Sequence, residues 1–214
     1  MTPDFAAVNP IDFGPPRAAP PRRKPGRPGV PSPLVTRAER KRLAFLKEAA
    51  DVLAVLPADG ESLWAIMTGF FDLMQLLIAL LDKIGPAERM RAATLSLSAR
   101  NATELGALLD RGTVRSLDVL VSDFFRRHDR AIFATLLSEV GGRGGRVAAA
   151  RSHCKIVTVA ARDGRLWTLT GSANLRTNHN AEQLCLTRDP DLFAWCDHWL
   201  DEVTTRHAVQ SDEN

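Results

Sequence analysis

The chain of 214 residues has few cysteines, and none of the three (Cys154, Cys185 and Cys196) falls in CxxC spacing. That excludes a zinc knuckle, a redox dithiol and a disulfide scaffold. Their apolar flanks read as reduced core thiols. No cluster of carboxylates of the kind that holds a metal stands out. Long hydrophobic runs are missing too. The most apolar stretch, residues 63–81, is broken by Asp72 and Gln75, whereas a bilayer span needs roughly 20 apolar residues. No basic start leads into an apolar run with a small-residue cleavage site. The expectation is a soluble cytoplasmic protein with no membrane contact. There is no excess of either charge: 28 Lys+Arg stand against 25 Asp+Glu, net +3, and 45% of residues are hydrophobic. That composition excludes a disordered polyelectrolyte and suits one domain with a filled core. No internal repeat occurs at solenoid periods.

The charge present is unevenly placed. Residues 1–47 carry 10 Lys+Arg against 3 Asp+Glu, net +7; residues 48–214 carry 18 against 22, net −4. Ten of the 13 prolines lie in residues 1–33. Proline lacks an amide proton and restricts its predecessor, so this stretch builds neither helix nor sheet interior. It reads as a disordered, extended Pro/Arg-rich tail. Within it, Arg22-Arg23-Lys24-Pro25-Gly26-Arg27-Pro28-Gly29 resembles the AT-hook type of minor-groove peptide. A plain solubilising tail and a nonspecific phosphate tether through Arg23, Lys24 and Arg27 are the other readings.

Order is expected from Leu34. Thr36 and Glu39 have capping-box spacing, and apolar residues at helical intervals predict an N-terminal helix over 34–57, closed by Pro57 and Gly60. A domain over 58–206 follows, with 207–214 a flexible end. Strands at 62–68, 92–98 and 117–121 alternate with helices at 72–84, from a cap at Asn101 and Glu104 to 109, and at 130–140. Four short strands then follow without helices, at 147–149, 154–160, 166–170 and 182–187, with a turn at Asp163-Gly164. Pro190 opens a last helix to 204. Its apolar face holds Leu192, Trp195, Cys196, Trp199 and Leu200; Trp64 and Trp167 are also read as core. Asp118 sits unexplained in an apolar strand. The order implies an α/β fold: a mixed β-sheet, parallel in its first half, flanked by helices on both faces.

Polar residues that a core does not explain concentrate in residues 152–186. His153 and Lys155, two apart at the start of a strand, share one face. Gly171-Ser172-Ala173-Asn174 ends the next strand, and Asn180 and Glu182 open the one after. Such groups cost stability at a core edge unless they bind something or each other. Their chemistry suits a phosphodiester. Lys155 is a point charge for a nonbridging oxygen, Ser172 and Asn174 are neutral donors, and Gly171 permits close approach. Neutral His153 can attack phosphorus, with Glu182 on its other ring nitrogen fixing the tautomer. Arg126 and Arg127 follow the third strand, where α/β sheets bind ligands. They read either as a grip on flanking phosphates or as the start of a helix. Arg176, Asn178 and His179 read as a solvated loop.

These residues resemble the phospholipase D superfamily signature: H-x-K, an aspartate, G-S-x-N, then N-x-E. Here they are His153-Cys154-Lys155, Gly171-Ser172-Ala173-Asn174 and Asn180-Ala181-Glu182. The aspartate is expected at position 160, where this chain has Ala160; the nearest candidate is Asp163, at the turn. The resemblance implies a phospholipase D-like fold. It also implies two motifs facing one phosphate, one histidine becoming phosphorylated and the other protonating the leaving oxygen. This chain has one motif, since His128, His179, His198 and His207 lack a lysine two residues later. Its similarity to the small single-motif bacterial endonucleases of the superfamily implies a homodimer sharing one active site, with no metal and no cofactor.

The superfamily acts on lipids, DNA and RNA. The short single-motif chain, the basic tail and the lack of an exposed aromatic anchor favour nucleic acid, with DNA first. The expected activity is a metal-independent phosphodiesterase, a DNA endonuclease working through phosphohistidine. A phospholipase or phosphatidyltransferase, and a DNA-binding protein with a decayed site, are the alternatives.

Overall fold

The computed structural model describes residues 46–67, 72–176 and 180–209. The tail over 1–33 with Arg23, Lys24 and Arg27, the cap at Thr36 and Glu39, and Asn178 and His179 lie outside the described residues. In chain order the elements are β1 (Ser62–Met67), α1 (Leu73–Ile84), β2 (Ala87–Thr94), α2 (Ala99–Asp110), β3 (Leu117–Ser122), α3 (Asp123–His128), α4 (Arg130–Val140), β4 (Arg146–Ala150), β5 (Ile156–Ala161), β6 (Leu166–Gly171), β7 (Glu182–Thr187) and α5 (Pro190–Arg206). Residues 46–52 are helical as well, and from this stretch Ala49 enters the core, followed by Leu53 just beyond it.

The helices begin where a side chain can take up their free amides. Asp72 caps α1, and Gln75 returns a bond to the Asp72 amide at 2.7 Å, a closed capping box. Ser98 caps α2, Ser122 caps α3 and Asp189 caps α5, the last with Pro190 at the first helical turn. Gly85 ends α1 at φ +83°, a conformation a side chain would strain.

The strands form one sheet in the order β1-β7-β6-β5-β2-β3-β4. β2, β3 and β4 pair in parallel, joined by the α2 and α3–α4 crossovers; every other pairing is antiparallel. The large core on one face gathers residues of α1, α2 and α4, among them Leu77, Leu105 and Leu136. On the other face Leu200 of α5 packs on Ala93, Leu120, Ala148 and Ala150. This is the mixed sheet with helices on both faces that the element order implies.

Several expectations need correcting. β1 is not part of the parallel set: it pairs antiparallel with β7 and forms an edge. β2 starts at Ala87, five residues before the expected strand, because Glu88, Arg89 and Arg91 hide it among charges. Asn101 does not cap a helix. It lies inside α2 with its amide donating to Asp72 at 3.2 Å and to the Leu175 carbonyl at 3.0 Å. Of the tryptophans, Trp167 is buried, but Trp64 and Trp195 are each 68% exposed, so the expected lack of exposed aromatic residues does not hold. Trp64 lies on the uncovered face of an edge strand. Trp195 sits one residue off the α5 stripe of Phe193, Cys196, Leu200 and Thr204, about 100° round the helix. Beyond α5 the chain stays tied through residue 209: Ala208 bridges to Ala148, and the Val209 amide donates to the Val147 carbonyl at 2.8 Å.

Asp118 has a physical account. It is 3% exposed and accepts from Arg91 Nε at 2.9 Å and from Arg146 Nε at 2.8 Å and Nη2 at 2.6 Å. Arg91 also reaches Asp197 and Asp201, and Asp197 receives Arg89 and the Thr158 hydroxyl. One network thus ties β2, β3, β4 and β5 to α5. Removing one member leaves buried charge uncompensated. Asp118→Ala should therefore destabilise by about 3–5 kcal/mol, lowering the melting temperature by roughly 10 °C. The Arg146 guanidinium holds the Asp201 carboxyl below its ordinary value of 3.8. Its contribution is present above that value and is lost as pH falls through the lower folded-state one. Melting temperature measured against pH checks this, and the acid slope should flatten in Asp201→Asn.

Candidate active site

The sheet brings six of its strand ends to one edge. Parallel β2, β3 and β4 finish there; antiparallel pairing places the start of β5, the end of β6 and the start of β7 beside them. Every residue assigned to the site from sequence and lying within the described residues, Asp163 apart, falls at this edge.

His153 and Lys155 lie in extended chain just before β5, not inside it. Lys155 folds back on the histidine, its Nζ 2.9 Å from Nδ1 and 2.8 Å from the His153 carbonyl. An ammonium can only donate, so Nδ1 accepts and a neutral ring carries its proton on Nε2. Of the three Lys155 N–H groups, two are engaged and one remains. The lysine is 9% exposed, while the imidazole is open to solvent. Burial pushes the Lys155 amine below its ordinary value, and the Glu182 carboxylate offsets part of that.

At the end of β6, Gly171 meets β7. A Cβ at residue 171 would overlap the Gln183 carbonyl oxygen. The glycine therefore serves strand packing, whereas the sequence suggested close approach to an anion. The crossing lets the Ser172 amide donate to the Gln183 carbonyl at 3.0 Å. It also sets the Ser172 hydroxyl between two neighbours: Oγ accepts from the Gln183 amide at 3.0 Å and donates to Glu182 Oε2. A hydroxyl has one proton, so Ser172 orients Glu182 and does not offer its proton to an anion. Glu182 Oε2 thus bonds Ser172, whereas the sequence suggested the histidine ring as its partner.

Asn174 is anchored from the other side. Its Oδ1 accepts the Leu95 amide at 3.1 Å, and the Thr94 hydroxyl accepts the Leu175 amide at 3.1 Å. An amide donor requires the oxygen, so this contact fixes the flip of the side chain and leaves the Nδ2 protons as donors. Asn180 is exposed at the mouth of β7. Asp163 does not join the site. It lies at the opposite end of the β5–β6 hairpin, paired with Arg165 at 2.6 Å.

Arg126 and Arg127 belong to α3, so the helix reading of that segment holds, yet they also wall a cavity of about 690 Å³ with Asp123 and Arg151. This cavity sits at the same sheet edge, over β3 and β4. By sheet order it is two to three strand spacings from β5, roughly 10–15 Å. Arg151 was missed from sequence. Its signal was position: it follows β4 directly and precedes His153 by two residues. Leu95, whose amide anchors Asn174, was missed as well. Among the described residues no group of three or more His, Cys, Asp or Glu is placed to hold a metal ion. No helix among them is long and apolar enough to cross a membrane.

No family model matches the chain, and no curated protein matches it. Solved structures do. A phospholipase D family member, Nuc from Salmonella typhimurium, superimposes with a TM-score of 0.53 at 16% identity, over 71% of this chain and 100% of that one. NucT from Helicobacter pylori gives 0.51 at 16% identity, over 70% and 99%. Phosphatidylserine synthase from Haemophilus influenzae gives 0.48 at 16% identity, over 70% and 39%. The superposition on Nuc makes the fold phospholipase D-like.

Because burial disfavours the Lys155 charge, removing it should cost the fold little. Lys155→Met is expected to melt within about 4 °C of the native chain. A larger fall would show that the Glu182 carboxylate outweighs desolvation.

Proposed function

We propose that the protein is a metal-independent phosphodiesterase, a DNA endonuclease acting through a phosphohistidine at a site shared by two subunits. The observation that carries this reading is the convergence on one sheet edge of the His153–Lys155 pair, the Ser172–Glu182 pair and the anchored Asn174. A nucleophile, a cation and a fixed neutral donor are what phosphoryl transfer asks of a protein. The fold and the arginine-walled cavity beside the site support it.

In the proposed reaction the free Lys155 N–H and the Asn174 amide take nonbridging oxygens. Attack through His153 Nε2 needs the ring proton on Nδ1. Substrate binding supplies this condition: the phosphate draws the Lys155 ammonium off Nδ1, which is then free to carry the proton. The Nε2–phosphorus bond forms and the phosphorus–oxygen bond breaks. The leaving oxygen takes a proton from His153 of the partner subunit. Water, giving its proton back to that histidine, then attacks phosphorus, breaks the nitrogen–phosphorus bond and restores His153. Glu182, oriented by Ser172, lies close enough to favour the charged Lys155.

Supercoiled plasmid incubated with the protein in EDTA should be nicked, and His153→Ala should slow nicking by at least about a thousandfold. Salt-sensitive gel shifts without nicking would make the chain a DNA-binding protein with a decayed site. Head-group release from phospholipid vesicles in place of nicking would make it a lipid enzyme. A separate expectation concerns assembly. Light scattering of the active protein should give about twice the mass of one chain, because one motif supplies one histidine. A strictly monomeric active enzyme would overturn the shared site.

A further inference from the structure

Cleavage chemistry leaves one surface beside the site unaccounted for. α3 turns Phe125 into the core at 1% exposure, and its neighbour Phe124 is thereby left 60% exposed. One face of the Phe124 ring is occupied. The His128 ring stacks on it with centroids 3.9 Å apart and planes 21° from parallel. His128 is itself held by its Nδ1, 2.8 Å from the Phe124 carbonyl oxygen. The result is a fixed, flat aromatic pair in water rather than a loose apolar side chain. The same helix sends Arg126 and Arg127 to the cavity that Arg151 and Asp123 complete. Arg126 is steadied over the Phe133 ring at 5.7 Å. The helix that carries the aromatic pair thus also carries two of the cavity's three guanidiniums, at the sheet edge that holds His153.

Guanidiniums suit successive phosphates, and a planar ring suits a planar base. A parallel stack extends as a column, which admits another flat group and gives an acyl chain no groove. A base inside a duplex already has both faces covered by its neighbours, so only an unpaired base can add to the column. We infer that α3 and Arg151 form a docking platform for single-stranded nucleic acid. Phe124 stacks one base, and Arg126, Arg127 and Arg151 take the neighbouring phosphates. The platform feeds the strand toward His153, two residues beyond Arg151. This inference rests on the nucleic-acid reading of the His153 site and narrows its substrate to strands with exposed bases.

Fluorescence anisotropy of the full chain tests it with three probes. These are a labelled single strand, its duplex, and a single strand of equal length made of abasic nucleotides. The base-bearing single strand should bind tightest. Phe124→Ala and Phe124→Leu should weaken it about tenfold, the size of one lost base stack, and leave the abasic strand unchanged; Phe124→Trp should retain the affinity. Arg151→Ala should weaken all three probes alike and flatten the salt dependence. Equal affinity for the base-bearing and abasic strands would overturn the platform. So would a Phe124→Leu variant that binds like the native chain, or Phe124-dependent sedimentation with phosphatidylglycerol vesicles. The comparison of probes needs only the native chain, so it decides even where a variant fails to fold. If nicking in EDTA depends on His153 while the probes bind alike, the platform alone falls. If the probes separate as expected and no nicking occurs, the catalytic reading falls instead.

Discussion

The geometry of the site hangs on one close contact between two backbones. Gly171 of β6 lies against the carbonyl of Gln183 in β7, at a distance no side chain would permit. That contact aligns the Ser172 amide with the Gln183 carbonyl, and the Ser172 hydroxyl with Glu182. It also fixes where β6 ends beside the approach to β5, since the Gly171 amide donates to the Lys155 carbonyl. Three strands that each carry one part of the candidate site are thereby held in a single register. A polar set at the edge of an apolar sheet is costly unless every member has a partner. Here each has one: Lys155 with His153, Ser172 with Glu182, Asn174 with the Leu95 amide.

The division of labour across the sheet follows from strand direction. The charged network of Asp118, Arg91, Arg146, Asp197 and Asp201 lies mid-sheet and joins α5 to the parallel strands. Its charges are paired and spent on holding elements together. Lys155, Arg126, Arg127 and Arg151 stand at the sheet edge, outside that network. Loops and short helices at that edge can vary in sequence without disturbing the network beneath. A flexible surface would bind phosphate less selectively, because its donors would have to be ordered on binding.

Much of the fold was legible because hydrophobic period changes with secondary structure. β3, α4, β6 and β7 fall within a residue or so of their expected bounds, since their apolar spacing is unambiguous. β2 was displaced for the opposite reason. Arg91 reads as a surface residue until Asp118 and Asp197, 27 and 106 positions away, are seen to neutralise it. Trp64 and Trp195 failed as core residues because composition reports how apolar a side chain is, not whether another layer covers it. Asn101 failed as a cap because its partners, Asp72 and Leu175, are remote in the chain.

Local pattern along the chain was enough for the strand and helix types of most described segments, the mixed sheet they must form, and the motif spacing that puts His153, Lys155, Ser172, Asn174 and Glu182 at neighbouring strand ends. Those follow from local periodicity and from short segments, which a linear reading captures. Who bonds to whom emerged from the packed chain: that Glu182 meets Ser172, that Lys155 turns to the imidazole, that Asp163 lies at the wrong end of its hairpin, and that Arg151 completes a cavity with α3. Partner choice depends on distances across strands and layers. No rule of spacing along a chain contains them.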